Sequence, residues 1–149
     1  MKGRVLIIAG SDSGGGAGIQ ADLKTVTALG GYGGTAITVL TAQDTKTVAR
    51  IEPVSPEMVA QQMRMMIDDI GVDCIKTGML YSHDIISAVA DVIDEHAMDI
   101  PLVCDPVLVA KGGASLLEED AMQAFKARLI LRAAVITPNI PEAEVLTGF

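Results

Sequence analysis

Apolar residues fall into two alternating rhythms along this chain. Val5–Ala9 (VLIIA) is an unbroken apolar run of strand length, the pattern of a strand covered on both faces. Behind it Ile19, Leu23 and Val26 keep one helical face, and Gly30-Gly31 closes that helix. Thr35–Thr41 (TAITVLT) is dense in β-branched residues and predicts a second strand. Thr47–Val54 predicts a shorter, peripheral strand, because charged and polar residues interrupt it. Ser55-Pro56-Glu57 predicts a helix start, with a hydroxyl cap, a proline in the first turn and an acid at the positive end. Val59, Met63, Met66, Ile67 and Ile70 carry that helix to Gly71.

The alternation continues. Asp73–Thr77 (DCIKT) predicts a strand, and Ile85, Val89, Ile93 and His96 trace the next helix. Leu102–Asp105 (LVCD) predicts a strand stopped by Pro106. Glu118, Glu119 and Asp120 open a helix that buries Ala121, Phe125 and Leu129. Ala133–Thr137 predicts the last strand, and Pro141–Leu146 begins another helix. Strands alternating with helices imply an α/β fold: a doubly wound, mainly parallel sheet with helices on both faces. Residues 1–149 read as a single domain, without repeat or linker, and apparently truncated at the C-terminus because nothing there resembles a closing element.

Composition narrows the function classes. The chain is 50% hydrophobic but only 3% aromatic and has no Trp, so the core must be aliphatic, with eight Met as filler. A net charge of −8 argues against nucleic acid or an anionic membrane as the main partner. It leaves small anionic ligands open, since backbone N–H groups outrank net charge at close range. Cys74 and Cys104 lie inside apolar runs without metal-site spacing and read as reduced core thiols of a cytoplasmic protein. The N-terminal apolar run is too short for a signal peptide, and no run approaches a membrane span.

Ligands of open parallel sheets bind beyond the carboxyl ends of the strands. Here those ends carry Gly10–Gly18, then Gln43 and Asp44, Gly78 and Met79, Asp105 to Val107, and Asn139 with Glu142 one turn on. The stretch AGSDSGGGAGIQAD holds five glycines between Gly10 and Gly18. It matches neither the phosphate-binding G-x-x-x-x-G-K-[ST] nor the dinucleotide G-x-G-x-x-G, since Ile19 stands where the last glycine belongs. So many glycines still favour a ligand over a bare turn. Asp22 falls beside the apolar helical face rather than opposite it. Asp105 either starts a turn or holds a cation. Asn139 and Glu142 have capping-box spacing. The Gln43 amide presents an acceptor and donors side by side, matching an aminopyrimidine edge, although a solvated glutamine is the commoner case. Met79 packs on a flat ring or caps the core. Lys111-Gly112-Gly113 is a cationic loop near phosphate or a solvated turn.

Taken together, AGSDSGGGAGIQADLKT (9–25), LTAQDT (40–45), KTGML (76–80), CDPVLVAKGGASLL (104–117) and TPNIPEAEVLTG (137–148) closely resemble the hydroxymethylpyrimidine/phosphomethylpyrimidine kinases of thiamine biosynthesis, in the ribokinase-like superfamily. The resemblance implies ATP-dependent phosphorylation of 4-amino-5-hydroxymethyl-2-methylpyrimidine and then of its monophosphate. It implies that Asp22 and Gln43 read the pyrimidine and that Gly10, Met79 and Val107 line the ring pocket. Asp105 and Glu142 would face Mg²⁺, with Asn139 on the phosphate side and Lys111 there as a looser match. A homodimer is implied as well.

The same resemblance implies a further stretch of comparable length that carries the anion hole, the catalytic residue and most of the adenine site. No catalytic residue is therefore expected in this chain, which reads as the N-terminal, substrate-binding half. Two alternatives remain open: a pyridoxal kinase, acting on a similar hydroxymethyl heterocycle, and a module that binds the pyrimidine without turning it over.

Overall fold

The computed structural model describes residues 2–108 and 119–149. Its strands are β1 (Arg4–Asp12), β2 (Tyr32–Gln43), β3 (Val48–Pro53), β4 (Cys74–Thr77), β5 (Leu102–Cys104) and β6 (Val135–Ile136). Its helices are α1 (Gly18–Ala28), α2 (Pro56–Met65), α3 (His83–His96), α4 (Glu119–Arg128) and α5 (Ile140–Thr147). The strands form one sheet in the order β3-β2-β1-β4-β5-β6. Neighbours run parallel except β3, which pairs antiparallel with β2 at the edge, the peripheral place its broken apolar pattern predicts.

Side chains alternate across the sheet with period two. Leu6 and Ile8 enter the larger core, with α2, α3 and α4. Ile7 and Ala9 point the other way, against Ile19, Leu23 and Val26 of α1. Helices thus cover both faces, but unequally. The core is aliphatic as composition requires, with Met63 and Phe125 fully buried among Leu and Ile. Burial pushes the Cys104 thiol up to about 11, and Thr77 Oγ1 donates to its Sγ at 3.3 Å. Both cysteines are free.

Some boundaries differ from the sequence pattern, each for a physical reason. β1 and β2 run on through polar residues, because their ladder resumes after a register shift with Ser11 opposite Leu40 and Asp12 opposite Thr41. β2 also begins earlier, at Tyr32-Gly33-Gly34, where missing side chains make room for the helices. A Cβ on Gly33 would lie 2.7 Å from Leu23 Cδ2. Ser55 caps α2 as predicted, its hydroxyl accepting the Met58 N–H, but Met66–Ile70 winds as a π-turn before Gly71 ends the run at φ 77°. β6 keeps only two paired residues, both exposed. The predicted helix start at Glu118 lies outside the described residues.

The winding fixes where a ligand would go. From β1 the chain crosses to β2 on one side and later reaches β4, β5 and β6 on the other. A crevice therefore opens beyond the carboxyl ends of β1 and β4, where the direction of winding reverses.

Candidate functional site

The glycine loop leaves the end of β1 and enters α1. Asp12, the last strand residue, is only 6% exposed. Its Oδ1 accepts the N–H of Gly14 at 2.8 Å, and its Oδ2 accepts those of Gly16 at 3.0 Å and Ala17 at 2.8 Å. Burial works to raise this carboxyl, but the N–H groups of Gly14, Ala17, Gly16 and Gly15 outweigh it and hold the group below the usual aspartate range. Inside its own bend, then, the loop cradles a carboxylate of the protein. Gln20 braces it, accepting the Asp12 N–H and donating to Ser11 Oγ. Ser13 Oγ bridges to both the N–H and the carbonyl of Gln43 at 2.8 Å, tying the ends of β1 and β2 together. That fixes the Gln43 backbone, while its side-chain amide takes no hydrogen bond among the described residues.

Gly10 and Met79 meet at the crevice. A Cβ on Gly10 would stand 2.8 Å from Val39 Cγ2 and 3.9 Å from Met79 Sδ, so only a glycine fits against Val39 here. Gly18 sits at φ 56°, and a Cβ there would collide with the Gly10 carbonyl oxygen. The β4 ladder continues into the loop, with Gly78 N–H donating to Ile8 C=O at 2.9 Å and buried Thr38 Oγ1 to Met79 C=O at 2.7 Å. Met79 is therefore held from both sides.

Asp22 faces the sheet, as its helical position predicts. Its Oδ2 lies 2.7 Å from Lys76 Nζ, which also stands 3.3 Å from Asp105 Oδ2. The three side chains are 22%, 23% and 32% exposed. One ammonium thus joins carboxylates from α1 and from the end of β5. Asp105 is anchored by its N–H to Thr77 C=O, and the Val107 N–H returns to Asp105 C=O at 2.9 Å, placing Val107 on the same rim.

Asn139 and Glu142 form a reciprocal capping box at the start of α5. Asn139 Oδ1 accepts the Glu142 N–H and Glu142 Oε2 accepts the Asn139 N–H, both at 2.9 Å. Glu142 is 5% exposed. Its described hydrogen bonds are to Asn139 alone, so this pair is not joined to the Asp22–Lys76–Asp105 group by direct contact. Lys111 lies outside the described residues. Among those residues no three His, Cys, Asp or Glu side chains gather as a metal site. Among the described residues Asp105 and Glu142 each keep one oxygen without a hydrogen-bond partner, which fits Mg²⁺ held by one or two carboxylates with phosphate and water completing its shell.

Lys76 and Asp12 escaped the sequence reading. A lysine inside the strand pattern DCIKT was the available signal for the first. An aspartate two residues ahead of the glycines was the signal for the second. A shallow cavity of about 530 Å³ lined by Gln61, Arg64, Met66 and Ile70 lies near the amino end of β4, away from this rim.

Comparison with known proteins completes the picture. The family model for phosphomethylpyrimidine kinase matches residues 12–149. The chain is 50% identical to the hydroxymethylpyrimidine/phosphomethylpyrimidine kinase of Bacillus subtilis over 97% of its own length and 53% of that relative. It spans about half the length of the curated kinases of that name which it matches. Its fold superimposes on the crystal structure of phosphomethylpyrimidine kinase from Clostridium difficile 630 with a TM-score of 0.91 at 44% identity, covering 99% of this chain and 64% of that one. Pyridoxal kinase from Staphylococcus aureus in complex with pyridoxal gives 0.84 at 37% identity, covering 98% and 52%.

Proposed function

The chain belongs to the phosphomethylpyrimidine kinase family, and from that premise we propose that it is the substrate-binding part of a kinase for 4-amino-5-hydroxymethyl-2-methylpyrimidine and its monophosphate in thiamine biosynthesis. One observation carries the substrate half of this reading. A carboxylate, Asp22, is held at the crevice where the winding reverses, on the same rim as Gly10 and Met79. A flat ring fits over a glycine and a thioether. The carboxylate accepts from the exocyclic amine, and Gln43 supplies a paired donor and acceptor to the ring edge. Val107 closes the apolar side.

In the parent reaction the substrate's CH₂OH oxygen attacks the γ-phosphorus of ATP. The new O–P bond forms as the β–γ bridging bond breaks, and ADP leaves. Mg²⁺ would supply charge neutralisation to the phosphates, held by Asp105 and Glu142, with Asn139 and Lys111 on the phosphate side. This chain's own part is to orient the heterocycle so that its hydroxymethyl group faces that side. No residue of this chain is assigned the hydroxyl proton. We place the protein in the cytoplasm as a homodimer; among the described residues no helix is long and apolar enough to cross a membrane.

A pyridoxal kinase is the second reading, supported by the likeness to the Staphylococcus aureus enzyme. A calorimetric titration with hydroxymethylpyrimidine, and with pyridoxal as control, separates the two. We expect the aminopyrimidine to bind more tightly and Gln43→Ala to weaken it about tenfold, the worth of one good hydrogen bond to a buried edge. Tighter binding of pyridoxal, or no effect at Gln43, would overturn the assignment. Binding without turnover when Mg-ATP is added would mark this chain as a binding module.

A further inference from the structure

Lys76 has no role in the reading above, yet its placement is the least expected in the sheet. It lies on β4, across from Ile7 of β1 on one side and Val103 of β5 on the other. An ammonium only 23% exposed on a central strand calls for carboxylate partners. Its partners come from two different elements. Asp22 belongs to α1 and Asp105 follows β5, and neither has a backbone reason to point at the other. Without the cation, two carboxylates would share one small space and repel. The rim offers Asp22 water to turn toward, since it stands 22% exposed.

We propose that Lys76 is a positioning residue that aims Asp22 at the amino edge of the heterocycle; this rests on the function proposed above. The rigid strand fixes the ammonium, and the 2.7 Å contact fixes one carboxylate oxygen. Oδ1 of Asp22 has no hydrogen-bond partner among the described residues and is left to accept from a ligand. A single lysine suits this task, because its compact ammonium serves two carboxylates in different planes, whereas the planar fork of arginine matches one carboxylate face-on. Gly78 contributes by absence. A Cβ there would lie 3.0 Å from that of Ala9, a tight contact, with Lys76 Nζ in ordinary contact at 3.7 Å.

The test compares two ligands on the 149-residue chain by calorimetry. One is 4-amino-5-hydroxymethyl-2-methylpyrimidine, and the other is 5-hydroxymethyl-2-methylpyrimidine, which lacks the amine. The wild type should prefer the amino compound about tenfold or more, as for a hydrogen bond to a charged acceptor. Lys76→Met should cut that preference to about threefold or less while leaving affinity for the desamino compound nearly unchanged. Lys76→Arg, which can still pair one carboxylate, should restore only part of it, and Lys76→Met should cost no further preference in an Asp22→Asn background. Equal loss for both ligands would show that Lys76 merely supports the fold or touches the ring, and would overturn the proposal. So would an unchanged preference in Lys76→Met. A wild type that binds neither compound would overturn the function proposed above and this inference with it. Failure confined to the variants overturns this inference alone.

Discussion

Asp12 and Asp22 flank one glycine loop and are satisfied in opposite ways. Asp12 is held by backbone N–H groups of the loop it closes. Asp22 is held by an ammonium from a strand more than fifty residues on. Backbone donors cannot leave without unfolding the loop, so Asp12 is committed to structure. A lysine contact fills one oxygen of Asp22 and, among the described residues, leaves the other available. The same residue type therefore serves as a rivet in one place and, in the function proposed above, as a reader of ligands in the other. The identity of its donors, more than its burial, decides which.

The sharpest way to break the rivet is to disturb the loop's geometry. Gly18→Ala forces a side chain into left-handed backbone and against the Gly10 carbonyl. We expect a loss of about 3 kcal/mol in urea unfolding, from the backbone strain and the overpacking together. A loss below about 1 kcal/mol would mean that the β1–α1 turn is looser than its hydrogen bonds imply.

Asp12→Ala comes next, at about 2 kcal/mol, because three donors lose a charged acceptor but the exposed glycines among them regain water. Asp12→Asn should cost about half as much, keeping one acceptor oxygen. Against these, Lys76→Met should cost about 1 kcal/mol or less of stability, as partly exposed pairs do, despite its expected effect on ligand preference. Equal destabilisation by Asp12→Ala and Lys76→Met would erase the contrast between the two aspartates.

This contrast also explains what was legible in the chain. Features made by neighbours in sequence could be read directly. The capping box of Asn139 and Glu142, the Ser55 cap and the inward turn of Asp22 all follow from spacing along one helix. The rim itself was legible, since alternating strands and helices imply a parallel sheet and a ligand edge. The Lys76 cluster was not, because it joins three elements whose juxtaposition depends on strand order, and nothing local reveals that β4 lies beside β1. Asp12 was hidden differently. Its glycines looked like a cradle for a ligand, and periodicity cannot say whether the occupant comes from outside. Gly10 and Val107 were placed on the rim by the strand ends they follow, while their role as ring-pocket residues entered through the family resemblance alone.

The smallest effect is expected at the opposite end of the sheet, where a third aspartate is held by a side chain at the surface. Arg4 Nε and Nη2 grip both oxygens of Asp73, at 2.9 and 2.7 Å, and Arg4 N–H adds a third bond. The Arg4 side-chain hydrogen bonds, with that N–H, hold the Asp73 carboxyl down to about 2. An unfolded aspartate titrates near 3.9, so the stability this pair contributes is complete above about pH 4 and is lost as pH falls toward 2. Arg4→Met should therefore lower stability slightly at neutral pH, by a gap that narrows on acidification. It should not close, because Arg4 also donates to the Ile70 carbonyl at 2.7 Å. Urea midpoints of both proteins between pH 6 and about 2 measure that gap. A gap that stays constant would show that the exposed pair is screened into irrelevance and that Arg4 acts through Ile70 alone.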